Sequence, residues 1–462
     1  MTARRAAWRY ALLVFLFWVP TGLFLATKVL LMLDRGLSLA EAGTVALVFS
    51  LTVAGLELPT GGLADVIGRR AVLAASAVLG VCGLGLLAFA DGFWLFVASA
   101  VVRGASRALS SGPDQAWYVD TVHAADGPDA PLTAGLARGE AASSVGLALG
   151  TLAGGVLPLL GGLGPVPALA VPVLVAAAIE VVRLLVTLFG MPEPPHARPS
   201  LGVVLRGVPS TVATGLRLSV RDAALTRLLV AGGFAGCALA AIELLTPGWL
   251  ASLVGGTTRG ATTYATVAAL GFVASAVGSL LGPWVEARLG SPVRAGAAGI
   301  AVGAVALVGV AVTGPTLGVP AVAVAYVLLF VGMGVTAGPQ ASVLHGRVSP
   351  GERATIVSVQ SLFLQAAGAV GALAFGWLAT LAGPAPGFGA AGLALVAAAV
   401  VVWRIQVTAQ VTAQVTAPVA ARVVPAVERI AVGPVAGQVD VSDDRDPPAT
   451  DAGIAADFGR SS

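Results

Sequence analysis

Gly61-Gly62-Leu63-Ala64-Asp65-Val66-Ile67-Gly68-Arg69-Arg70 is a small polar island between two long apolar runs, Leu39–Gly61 and Ala71–Ala90. Its glycines permit a close reversal of the chain, and its arginines mark the edge of an apolar layer. Working outward, apolar runs broken by charge, Gly and Pro recur at Tyr10–Leu33, Phe93–Val119, Ala134–Leu160 and Val166–Gly190, completing a set of six. A second set follows at Ala223–Leu250, Thr262–Ala287, Val293–Thr313, Val319–Leu344, Ala354–Leu381 and Phe388–Ile405. Each run has about the 20 residues that a helix rising ~1.5 Å per residue needs to cross ~30 Å of hydrocarbon. The expected fold is therefore an all-α integral membrane protein with twelve transmembrane helices in two pseudo-symmetric six-helix bundles.

Composition agrees with this reading. The 462 residues are 57% apolar and 11% charged, with a mean hydropathy of +0.92, whereas soluble chains carry roughly 25% charged residues. Too few charges remain to coat a water-facing surface. The net charge of +3 and pI near 9.2 do not point to nucleic acid, because the arginines lie at the ends of apolar runs and do not cluster with aromatics. Cys82 and Cys237 have neither disulfide nor metal-ligand spacing, and no Walker-type phosphate loop occurs. No metal, cofactor or enzymatic activity is expected. The first run follows Arg4, Arg5 and Arg9 and is too long for a cleaved signal, so it is expected to stay as the first span.

Counting alternate connections, one side of the membrane receives Arg69, Arg70, Arg138, Arg217, Arg288 and Arg353 among others, and the other side essentially Arg35 and Arg259. Basic residues accumulate in cytoplasmic loops, so both termini are expected in the cytoplasm of a plasma-membrane protein. The domains expected are a bundle over 1–190, a cytoplasmic linker over 191–222, a second bundle over 223–406 and a disordered cytoplasmic tail over 407–462. The linker opens with Met191-Pro192-Glu193-Pro194-Pro195, which cannot continue a helix, and 201–220 has the spacing of an amphipathic surface helix. Gly112-Pro113-Asp114-Gln115-Ala116 in the fourth span recurs as Gly338-Pro339-Gln340-Ala341 in the tenth, an offset of roughly 220 residues that marks an internal repeat.

At every position except Val66, the island at Gly61 resembles the loop motif of the major facilitator superfamily, carried here by Gly61, Leu63, Asp65, Gly68, Arg69 and Arg70. The resemblance implies alternating access by two rocking bundles. It also implies a latch in which Asp65 pairs across the seam between halves and stabilises the outward-facing state. A degenerate counterpart follows the eighth span at Gly282-Pro283-Trp284-Val285-Glu286, Arg288 and Gly290. In the fifth span, Gly146, Gly150, Gly154 and Gly155 resemble the glycine motif of facilitator-superfamily antiporters, with Thr151 in place of its proline. That likeness implies a drug:proton antiporter, while small residues at this spacing also serve ordinary helix packing.

Ionisable groups within spans cost at least ~2.5 kcal/mol each and should face a cavity or a partner. Lys28, Glu57, Arg103, Arg107, Asp114 and Glu243 are the candidates for coupling or gating, and Glu180 and Arg183, three apart on one helix, for a structural pair. Arg103 loosely resembles the family's fourth-helix arginine beside a proton-coupling carboxylate; pairing with Glu57 or Asp114 is its structural alternative. Lys28 and Glu243 occupy the first and seventh spans, which line the cavity in this superfamily. They are read as an extracellular gate pair, or as a proton and cation site at Glu243, or as a snorkelling lysine and an acid hydrogen-bonded to a neighbour. The function expected is proton-coupled efflux of a small lipophilic or amphipathic molecule by a monomer in the lipid bilayer. The alternatives are import of a small metabolite, or a membrane sensor or scaffold that transports nothing.

Overall fold

The computed structural model describes residues 2–127, 130–192, 202, 213, 217–349 and 352–405, without the side chains of residues 58–62, 65, 315, 353 and 354. The tail over 407–462, most of 201–220 and the side chain of Asp65 therefore lie outside the described residues.

Fourteen α-helices make twelve spans among these residues. The first span is α1 (Ala3–Leu25) and α2 (Lys28–Asp34), parted by a break at Ala26 and Thr27. It is followed by α3 (Leu39–Ile67) and α4 (Arg69–Phe89). The fourth span is α5 (Phe93–Leu109) with α6 (Pro113–Asp126). Then come α7 (Thr133–Val156) and α8 (Val171–Gly190). The second half comprises α9 (Ala223–Val254), α10 (Thr257–Leu289), α11 (Pro292–Leu317), α12 (Val319–His345), α13 (Arg353–Ala382) and α14 (Pro384–Trp403). Eleven spans are long and apolar enough to cross a bilayer by themselves, and α5, with 17 residues and two arginines, supplies the twelfth.

Local sequence explains the boundaries. Ser38 and Glu41 start α3 with a reciprocal capping box: the Ser38 hydroxyl accepts from Glu41 N–H at 3.2 Å, and the Glu41 carboxylate accepts from Ser38 N–H at 2.8 Å. Asp222 caps α9 by accepting from the N–H groups of Ala224 and Leu225. The Arg347 guanidinium also bonds both Asp222 oxygens. Burial opposes ionisation of Asp222, but the Arg347 bond and the helix-start N–H groups outweigh it and hold the carboxyl below its usual range.

The structure corrects several expectations. Residues 61–67 are not a loop, because α3 runs on through Pro59 to Ile67 and the reversal is made by Gly68 alone, at φ +101°. The fourth span is not one helix to Val119; it breaks at Ser110–Gly112, where Gly112 adopts φ +99° and Pro113 starts a new helix. Its repeat partner Pro339 lies inside the unbroken α12, so the two copies have diverged there.

Pairwise packing reveals the repeat better than the sequence does. In the first half α1 packs on α7 and α8, α5 on α3 and α4, and α4 on α8. In the second half the corresponding helices repeat this order: α9 on α13 and α14, α12 on α10 and α11, and α11 on α14. The halves meet along α3 with α13 and α7 with α10. Large apolar side chains such as Phe189, Leu280, Leu381 and Val305 point outward, an exterior suited to hydrocarbon rather than water.

Candidate transport site

Twelve spans return the chain to the side it started from, here called the terminal end; the opposite side is the far end. Between the halves lies a cavity of about 390 Å³, walled by α1, α3, α4, α5 and α8 on one side and α9 and α13 on the other. Phe17, Trp18, Phe24 and Phe49 give it an aromatic lining.

At its far end Lys28 Nζ donates to Glu243 Oε1, an ion pair joining α2 to α9 across the halves. Both partners border a discontinuity. Lys28 opens α2 just after the break at Thr27. Pro247, one turn beyond Glu243, lacks the N–H that would bond the Glu243 carbonyl. Sequence reading overlooked Pro247. Two more bonds close the far end, from Ala40 N–H to Thr380 Oγ1 at 3.1 Å and from Thr262 Oγ1 to the Gly155 carbonyl at 2.6 Å.

Glu57 also links the halves, accepting from Ser111 Oγ at 2.8 Å and from Gln365 Nε2 of α13 at 3.0 Å. Nothing in the sequence singled out Gln365. Arg103 does not pair with Glu57 or Asp114. It is 8% exposed, donates from Nε to Ser99 Oγ at 3.2 Å, and stacks between Phe24 and Phe49 at 5.2 and 5.5 Å from the ring centroids. Gly83 of α4 makes room for it, since a Cβ there would collide with the Arg103 stem. Arg107 lies over Phe17 and Trp18, at 5.3 and 5.7 Å. Asp114, in the first turn of α6, accepts from Gln115 N–H at 2.8 Å and borders a second, very small pocket with Ser110, Arg183 and Thr187. Glu180 and Arg183 form a buried pair at 2.7 Å, and Arg183 continues to Ser76 at 3.2 Å.

At the terminal end, Arg69 Nη1 pairs with Asp120 Oδ2 of α6, a partner in the same half that the sequence did not reveal. Arg70 is exposed. The expected Asp65 contact falls on a side chain outside the described residues. The fifth-span glycines make two seams: Cβ atoms on Gly150 and Gly154 would collide with the backbone carbonyls of Val19 and Leu23 in α1, Gly146 lies against Phe15, and Gly155 faces Ala265 of α10. Among the described residues no cluster of three His, Cys, Asp or Glu is placed to hold a metal.

Residues 10–372 match the profile described as Major Facilitator Superfamily. The chain belongs to this superfamily. Solved facilitator structures share the fold: the nucleoside transporter NupG at 12% identity and TM-score 0.69, covering 87% of this chain and all of the other. A POT family transporter in complex with 5-aminolevulinic acid follows at 14% identity and TM-score 0.67, covering 86% and 95%. The human organic anion transporter MFSD10 (TETRAN) aligns at 18% identity and TM-score 0.58, covering 87% and 100%. A comparison with proteins of curated function gave no match. As a facilitator-superfamily chain, this protein is a multi-pass membrane transporter of a small molecule.

Proposed function

We propose that this facilitator exports a small amphipathic molecule in exchange for protons, working as a monomer in the plasma membrane with both termini in the cytoplasm. The observation that carries this reading is the Lys28–Glu243 pair, which joins the two halves at the rim of an aromatic-lined cavity. While Glu243 is ionised, its bond to Lys28 holds the far end together. A proton on Glu243 removes the charge-assisted bond, and each ~1.4 kcal/mol lost shifts the balance of the two states about tenfold. Bundles over 1–190 and 223–406 would rock about the cavity, joined by the linker over 191–222.

The outward direction rests on the fifth-span glycines, which pack α7 against α1 and against α10 of the other half, the seams along which helices must slide. Arginine placement supports the orientation, since it puts the far end outside the cell. The motif from Gly61 to Arg70 would act as a latch through Asp65.

Transport in sealed proteoliposomes tests the proposal. An imposed pH gradient should drive accumulation of amphipathic compounds that a protonophore collapses, and Glu243→Gln should remove the pH dependence while substrate still binds. Accumulation indifferent to the gradient, or unchanged in Glu243→Gln, would overturn proton coupling. Full transport by Asp65→Asn at normal expression would remove the latch.

A further inference from the structure

Five charged side chains line the cavity, Lys28, Arg103, Arg107, Glu180 and Glu243, and three of them are in ion pairs. Lys28 pairs with Glu243, and Glu180, on the wall, pairs with Arg183 behind it. Arg103 and Arg107 also line the cavity, and among the described residues neither lies within ion-pair distance of a carboxylate. Glu57 and Asp114 act on Arg107, and Glu243 on Arg103, only through longer-range attraction. The cavity wall therefore carries two guanidinium groups with no carboxylate in contact among the described residues, Glu57 and Asp114 being counter-charges at longer range.

The neighbours of these charges are mostly aromatic. The Arg103 guanidinium carbon lies over the Phe24 and Phe49 rings, and that of Arg107 over Phe17 and Trp18, within cation–π range. Rings accept no N–H bond of full strength, so the in-plane guanidinium donors are left for another group. Arg103 uses one of five donors on Ser99, and the Arg107 guanidinium donates no hydrogen bond among the described residues. A buried guanidinium with unfilled donors, as Arg103 is at 8% exposure, is costly in a membrane unless something anionic visits it. Guanidinium donors match the paired oxygens of a carboxylate, sulfonate or phosphate.

We infer that the cavity takes an organic anion, its acidic head held by Arg103 and Arg107 and its apolar body lying against Phe24, Phe49 and Trp18. This names a substrate class for the transport reading and rests on it for physiological meaning. An anion leaving an inside-negative cell also moves down the membrane potential, in keeping with export.

Binding of three probes of matched body and different charge to the full-length protein in detergent tests the inference: naphthalene-2-sulfonate, 2-naphthalenemethanol and 2-naphthylmethylammonium. The sulfonate should bind at least tenfold more tightly than the other two. Arg107→Gln, at a side chain that makes no hydrogen bond among the described residues, should lower sulfonate affinity about tenfold and leave the alcohol unchanged. Arg103→Gln should do the same, and Arg103→Lys should recover much of the loss while keeping the protein folded. Equal affinity for alcohol and sulfonate, or an Arg103→Gln/Arg107→Gln protein that still prefers the sulfonate, would overturn the inference. Proteoliposome flux separates the two readings: preferential sulfonate binding without flux defeats transport alone, whereas flux of the ammonium or alcohol without sulfonate preference defeats the anion assignment alone.

Discussion

Lys28 is the only lysine in the chain, and its partner Glu243 lies in the corresponding span of the other half. The lysine is half-buried and the carboxylate more open, so their bond is worth about 1 kcal/mol rather than the several of a sealed pair. A stabilisation of that size suits a gate that must open on every cycle. Lys28→Ala should shift the resting population about fivefold toward the far-end-open state, read as faster labelling of a cysteine placed in the cavity. Double exchange, Lys28→Glu with Glu243→Lys, should restore wild-type labelling. A second residue-scale test concerns Asp222. Its carboxyl titrates below the ordinary value of about 3.9, so its contribution is fully present above that pH and disappears as pH falls through the lowered folded-state value. Thermal unfolding should show Asp222→Asn less stable by roughly 1–3 kcal/mol at pH 7, with the difference shrinking below about pH 4.

Among the elements, α7 and α1 touch backbone to backbone, a contact only glycine allows at Gly150 and Gly154. Gly150→Ala should lower the yield of folded protein, at about 1–3 kcal/mol for overpacking. Gly85→Ala, which meets nothing within 4 Å, should leave folding intact, as measured by size-exclusion profiles of detergent extracts. Such helix-level detail was partly legible beforehand. The spacing of Gly146, Gly150 and Gly154 marks a packing stripe, but which helix it faces is decided by tertiary contacts. Runs of apolar residues locate spans, whereas the breaks at Thr27 and Gly112 leave no apolar signal, because a membrane helix keeps its composition through a break. Arg103 stood out as a costly charge. Its lack of an acidic partner, the room made by Gly83, and the bond from Gln365 to Glu57 depend on neighbours distant in sequence.

For the molecule as a whole, among the described residues the cross-half polar contacts gather toward the far end, with Glu57–Gln365 deeper in. Ala40→Cys with Thr380→Cys, in a background of Cys82→Ala and Cys237→Ala, should form a disulfide that stops transport and releases it on reduction. Continued transport by the crosslinked protein would show that the far end need not part. The twelve-span plan was legible because solvation by hydrocarbon constrains length and polarity everywhere at once. The cavity was not, since it belongs to no single run.

The two helices that carry the Lys28–Glu243 pair differ in build: α9 is continuous through Pro247, which frees one carbonyl, whereas the first span is divided at Ala26 and Thr27, with the Thr27 hydroxyl buried and unbonded among the described residues. A severed rod next to an intact one makes a lopsided joint. If the far end parts at this break, the short piece Lys28–Asp34 would tilt with the opposite half while Ala3–Leu25 stays seated. Backbone amides around Val29 should then trade hydrogen for deuterium sooner than those of the matching turn in α9, and a helix-mending change such as Thr27→Leu should stiffen the joint and slow turnover.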